Sequence, residues 1–121
     1  MNINPEKLTE KSIEAINGAS EIAKARGNSE IAQVHLLASL IAQDGGIVGA
    51  ILTKLGADKR AALELGVRRV LDSLPKVSGD GAQVYMSNSC SQTIDRAEGI
   101  AKQMRDEFVS TEHLFLSVIE K

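Results

Sequence analysis

Side chains suited to chemistry are sparse in this chain. His35 and His113 are its only histidines, and Cys90 is its only cysteine. A zinc site needs about four Cys or His ligands at short, regular spacings, and these scattered residues do not supply them. The two histidines read instead as hydrogen-bonding groups at helix starts. Cys90 sits near the start of a helix, where a thiol pKa falls somewhat. A nucleophilic thiol also needs a base, and no histidine lies near it in sequence. Gly45-Gly46-Ile47-Val48-Gly49 lacks the G-x-G-x-x-G order and follows a helix, so it does not form a phosphate loop. No G-x-x-x-x-G-K-[ST] occurs, so this chain is not expected to hydrolyse ATP. The expectation is a binding domain, not an enzyme, with no metal and no cofactor of its own.

Composition narrows the classes further. The 121 residues carry a net charge of −2 and no long run of one sign, which disfavours nucleic acid as a partner. No stretch approaches the roughly 18 apolar residues of a membrane span. The start, Met1-Asn2-Ile3-Asn4-Pro5-Glu6-Lys7, lacks a basic region followed by an apolar one, so no secretory signal is read there. A single cysteine cannot close an internal disulfide, which fits a reducing, cytoplasmic setting. Aromatic residues are only 2% of the chain, so the core must be built from Ala, Leu, Ile and Val. That suits close-packed helices in one all-α domain over residues 1–121.

Helical periodicity places six helices. Thr9 caps the first, and Ile13, Ile16, Ala19, Ile22 and Ala23 form its apolar stripe. Gly27 falls where a glycine in left-handed conformation ends a helix. Asn28-Ser29-Glu30-Ile31 reads as a loop. The second helix carries Leu36, Leu37, Leu40 and Ile41 and stops at Asp44-Gly45-Gly46. A short third helix contains Ile47, Val48, Ile51, Leu52 and Leu55. Asp58 is the expected cap of the fourth, with Ala62, Leu65, Val70 and Leu71 facing inward and Gly66 allowing close packing. Pro75 ends that helix, and residues 75–86 form a linker rich in turn formers, including Ser78, Gly79, Asp80 and Gly81. Ser89-Cys90-Ser91-Gln92 matches a capping box for the fifth helix, which carries Ile94, Ala97, Ile100, Ala101 and Met104. Ser110 is the expected cap of the sixth, with Leu114, Phe115, Val118 and Ile119.

The chain also repeats itself. Offset by 78 residues, residues 15–43 lie over 93–121 without a gap, and nine of the 29 pairs are identical. About two would follow from average residue usage. Ala23-Lys24 matches Ala101-Lys102, and His35-Leu36 matches His113-Leu114. The reading is a duplicated helical unit: repeat one over about 9–73, then the linker, then a partial repeat two over about 87–121. Helices three and four have no counterparts before Lys121, so the second repeat is truncated.

These residues resemble the N-terminal domain of the Clp chaperones, the ATP-driven unfoldases, and above all the ClpB-type disaggregase branch. The resemblance rests on Leu8-Thr9-Glu10-Lys11, His35-Leu36-Leu37, Gly45-Gly46, Ile51-Leu52-Thr53-Lys54-Leu55-Gly56, Leu74-Pro75-Lys76-Val77-Ser78-Gly79 and Phe108-Val109-Ser110-Thr111-Glu112-His113-Leu114. It implies two four-helix repeats related by a pseudo-twofold axis, mounted on a hexameric Clp ATPase whose missing modules hold the ATP. It further implies capture of unfolded or aggregated polypeptides in an apolar groove lined by the repeat helices. Thr9, Asp106 and Glu112 match polar positions that the family uses in substrate handling. Each also has a structural reading: Thr9 as a cap, Asp106 in a turn, Glu112 in a first helical turn, where negative charge is favourable.

Two other readings suit the same residues. A protease-linked Clp ATPase of the ClpA or ClpC type would use this domain for adaptors or degrons. ClpC-type domains carry Thr-Glu-His in both repeats, with glutamates that help bind phosphorylated arginine. Here the second copy reads Thr111-Glu112-His113 but the first reads Gln33-Val34-His35, and Val34 accepts no hydrogen bond from a guanidinium. A structural helical dimerisation module is the alternative of another class.

Overall fold

The computed structural model describes residues 5–77 and 84–120. A 3₁₀ turn over Pro5–Lys7 precedes six α-helices: α1 (Glu10–Ala25), α2 (Gln33–Ala42), α3 (Ile47–Leu55), α4 (Ala57–Ser73), α5 (Asn88–Gln103) and α6 (Thr111–Glu120). Two short strands, β1 (Glu30–Ile31) and β2 (Tyr85–Met86), pair in parallel. The described residues are all-α apart from these strands, as the periodicity predicts.

Local chemistry explains most boundaries. The Thr9 side chain accepts a hydrogen bond from the Ser12 amide at 3.1 Å and caps α1. Past the end of α1, Gly27 takes a φ of +73° and its neighbour Asn28 donates its amide to the Ala23 carbonyl. Leu74 ends α4 in extended conformation ahead of Pro75. Two expected caps are displaced. Gly56, not Asp58, occupies the cap of α4, and Asp58 lies in the first turn. Ser87, not Ser89, caps α5, accepting from the Cys90 amide at 3.1 Å; Ser89 is already helical. An acidic or hydroxyl side chain is favourable anywhere in a first turn, so residue type alone places a cap only to within a residue or two. The expected loop at 28–31 contains β1, and the end of the expected linker contains β2. The turn formers Ser78, Gly79, Asp80 and Gly81 lie outside the described residues.

The duplication appears as paired contacts at the 78-residue offset. Ser39 donates its hydroxyl to the Ala15 carbonyl at 2.6 Å, and Ser117 donates to the Thr93 carbonyl at 2.6 Å. Ile31 pairs with Met86, while Leu8 bridges Val109. Under the offset Ile31 becomes Val109, and Met86 corresponds to Leu8. The two bridges therefore exchange the copies, which is the mark of a twofold relation rather than a simple translation.

The core is aliphatic. Its buried members include Ala15, Ala19, Ala23, Leu36, Leu40, Ile94, Ala97 and Leu114. The buried stripe of α1 is Ser12, Ala15, Ala19 and Ala23; Ile13, Ile16 and Ile22 flank it half-exposed. Alanine on this seam lets α1 and α2 approach closely. In α4 the buried residues are Val67 and Leu71, whereas the expected Leu65 and Val70 are exposed. Gly66 is exposed as well, and a Cβ there would meet no atom within 4 Å, so close packing does not account for it.

Candidate functional site

The histidines are structural. The Nδ1 of His35 accepts the Ala32 amide at 2.8 Å, which leaves the ring proton on Nε2 to reach Asn28 Oδ1 at 2.8 Å. Asn28 in turn donates its Nδ2 to the Pro75 carbonyl at 3.0 Å. The ring therefore ties the start of α2 to the exits of α1 and α4. His113 repeats the arrangement: Nδ1 accepts the Ser110 amide at 2.8 Å and Nε2 meets Asp106 Oδ2 at 2.8 Å. Burial, and next the nearby Arg26, lower the His35 pKa and keep that ring neutral. Cys90 is buried, and burial pushes its thiol up to about 11, so it is a poor nucleophile. No group of three or more His, Cys, Asp and Glu able to hold a metal occurs among the described residues.

Of the three polar residues named from the family resemblance, Thr9 and Asp106 flank the seam where the start of α1 meets the α5–α6 loop, and Glu112 stands on α6. Thr9 caps α1, and its amide donates to the Val109 carbonyl at 3.1 Å. Asp106 lies in the α5–α6 loop, with its carboxylate half-exposed beside His113. Glu112 is in the first turn of α6 and is half-buried. Thr9 and Asp106 thus have structural partners, whereas the Glu112 side chain makes no hydrogen bond or ion pair with another described residue.

A larger feature lies between α2, α4 and the ends of α5 and α6. An open groove of about 570 Å³ is walled by Val34, Leu37, Leu63, Val67, Val70 and Val118, with Gly66 on its α4 wall. Its base is tied by Gln33, whose Nε2 donates to the Val118 carbonyl at 3.2 Å and whose Oε1 accepts from Thr93 Oγ1 at 2.7 Å. These groove residues were not assigned from the sequence. Their signal is the second apolar stripe of α4, Ala62, Gly66 and Val70, which alternates with the buried Val67 and Leu71. An aliphatic lining with few polar groups suits apolar side chains, not a charged metabolite. A second cleft is polar, with Arg26, Arg60 and Arg68 in its wall. There Arg26 pairs with Asp72 and Arg60 with Glu64.

No described helix is long and apolar enough to cross a membrane; α2 and α3 are apolar together but meet at 81°.

An all-α twofold repeat with an open apolar groove defines the class, a duplicated helical domain. Residues 7–121 match the family model for the Clp repeat (R) N-terminal domain, and the chain belongs to that family. It is 38% identical to Chaperone protein ClpB of Gloeobacter violaceus over 94% of the chain and 13% of the relative. It is 37% identical to Chaperone protein ClpB of Clostridium tetani over 95% of the chain and 14% of the relative. The chain thus spans about one seventh of the length of these relatives. The Hsp104 N-terminal domain from Candida albicans superposes with a TM-score of 0.73 at 29% identity, over 94% of this chain and 74% of that one. The N-terminal domain of the ClpV1 ATPase from E. coli has the same fold, with a TM-score of 0.82 at 21% identity over 96% and 69% of the two chains.

Proposed function

We propose that this chain is the substrate-recognition domain of a ClpB-type disaggregase. It captures exposed apolar segments of unfolded or aggregated polypeptides, weakly and reversibly, before a linked hexameric ATPase engages them. The ATP belongs to that ring, and the setting is the cytoplasm. The observation that carries the reading is the aliphatic groove between α2 and α4. Apolar burial supplies roughly 25 cal/mol per Å², and the entropy of association consumes much of it, so a single contact is weak. Several such domains on one ring would add avidity, because later contacts become intramolecular. Thr9, Asp106 and Glu112 would form a polar contact along the α1/α6 seam. Val34, at the position matched to Glu112, removes one acceptor that a symmetric pair of phosphoarginine sites would require.

Titration with a permanently unfolded protein tests the reading. Saturable binding is expected, lost in Val70→Asp; no binding at high concentration overturns it. Thr9→Ala, Asp106→Ala and Glu112→Ala are each expected to weaken binding at unchanged helicity. Unchanged affinity in all three removes the polar contact and leaves the groove alone.

A further inference from the structure

Gly66 stands near the middle of α4, where glycine is less favourable than alanine in helical conformation. Nothing in the fold requires it. It has no positive φ, and a Cβ on it would meet no atom within 4 Å. It does line the apolar groove, between Leu63 and Val70. Lys59, Ala62, Gly66 and Val70 succeed one another at three- and four-residue spacing and share one face of α4. Arg69 follows Gly66 by three residues and borders that face. Lys59 and Arg69 are exposed, and neither pairs with a carboxylate among the described residues. The groove is thus apolar within, and Lys59 and Arg69, which do not line it, stand exposed on α4 one turn beyond Ala62 and one turn beyond Gly66.

Resting on the groove reading above, we infer that Gly66 is a specificity-determining opening that admits a bulky apolar side chain of an acidic-flanked polypeptide segment. The missing side chain leaves a recess in the α4 wall, and Lys59 and Arg69 meet the carboxylates on either side of the inserted residue. A side chain at position 66 would occupy the recess without disturbing the core, so its effect falls on binding and not on folding.

The test uses the full chain and fluorescent peptides with a Leu and Phe centre flanked by glutamates or by lysines. Gly66→Ala is expected to raise the melting temperature yet weaken the glutamate-flanked peptide. Gly66→Leu is expected to weaken it by about tenfold or more, as overpacking a fitted contact does. The lysine-flanked peptide should bind more weakly than the glutamate-flanked one, with the difference shrinking at high salt. Circular dichroism of each variant checks that the helices persist. Undiminished binding by Gly66→Leu, or equal binding of the two peptides, overturns the inference while Val70→Asp still reports on the groove. Should the unmodified chain bind neither peptide, the groove reading falls and this inference with it.

Discussion

The two copies of the repeat form a natural experiment, because one has two further helices and the other does not within this chain. In the first copy α3 and α4 pack against α2, and Ile41 is 6% exposed. Its counterpart at the 78-residue offset, Ile119 on α6, is 58% exposed. Inward-facing partners behave alike: Leu36 and Leu114 are both buried, and so are Ser39 and Ser117. The difference teaches that the offset preserves what a helix pair does for itself. It does not preserve what a neighbouring helix does for one face of that pair.

Substituting both isoleucines sharpens this contrast most. Ile41→Ala should cost about 2–4 kcal/mol in urea unfolding, through lost burial and a residual cavity. Ile119→Ala should change stability by less than about 0.5 kcal/mol. Comparable costs would mean that α6 is covered in solution. The histidines come next. His35→Ala strands the Ala32 amide and the Asn28 side chain and should cost about 2–3 kcal/mol. His113→Ala should cost less, since Asp106 is half-exposed and can turn to water. Reversed costs would show that the second copy is the better anchored.

A smaller effect concerns the helix exits. Gly27 and Arg105 correspond under the offset, and both take positive φ, +73° and 60°. Arginine pays a steric cost there that glycine does not. Arg105→Gly should therefore stabilise the chain by about 1 kcal/mol, and Gly27→Ala should destabilise it by a similar amount. Equal and opposite changes in melting temperature would check the correspondence. The smallest expected effect is on acid stability. His35 has a lowered pKa in the fold, so the unfolded chain takes up its proton more readily. The sign follows: this contribution is complete above pH about 6.5 and is lost as the pH falls below that value. Melts at descending pH should show a decline that His35→Gln reduces.

Helix number, the aliphatic core and the duplication were all readable from the chain. These depend on side chains that recur every three or four residues, and that recurrence needs no knowledge of the partner surface. Thr9 was correctly placed as a cap because its hydrogen bond spans only three residues. The strand pair was not readable, because Glu30–Ile31 and Tyr85–Met86 are two residues each and gain their ladder only from each other across the sequence. The inward face of α4 was misassigned for a related reason. Both stripes of that helix are aliphatic, so periodicity alone does not say which one meets α2.

The same boundary runs through the site. The family resemblance named Thr9, Asp106 and Glu112, and the sequence itself placed them only as separate residues at helix starts and in a turn. Folding brought the start of α1 beside the α5–α6 loop through the Leu8–Val109 bridge. The groove required more still, since its walls come from four helices and its emptiness at Gly66 is a property of space. Local covalent order determines which residues can share a helix face. Only tertiary packing decides which of those faces is buried and which is left open.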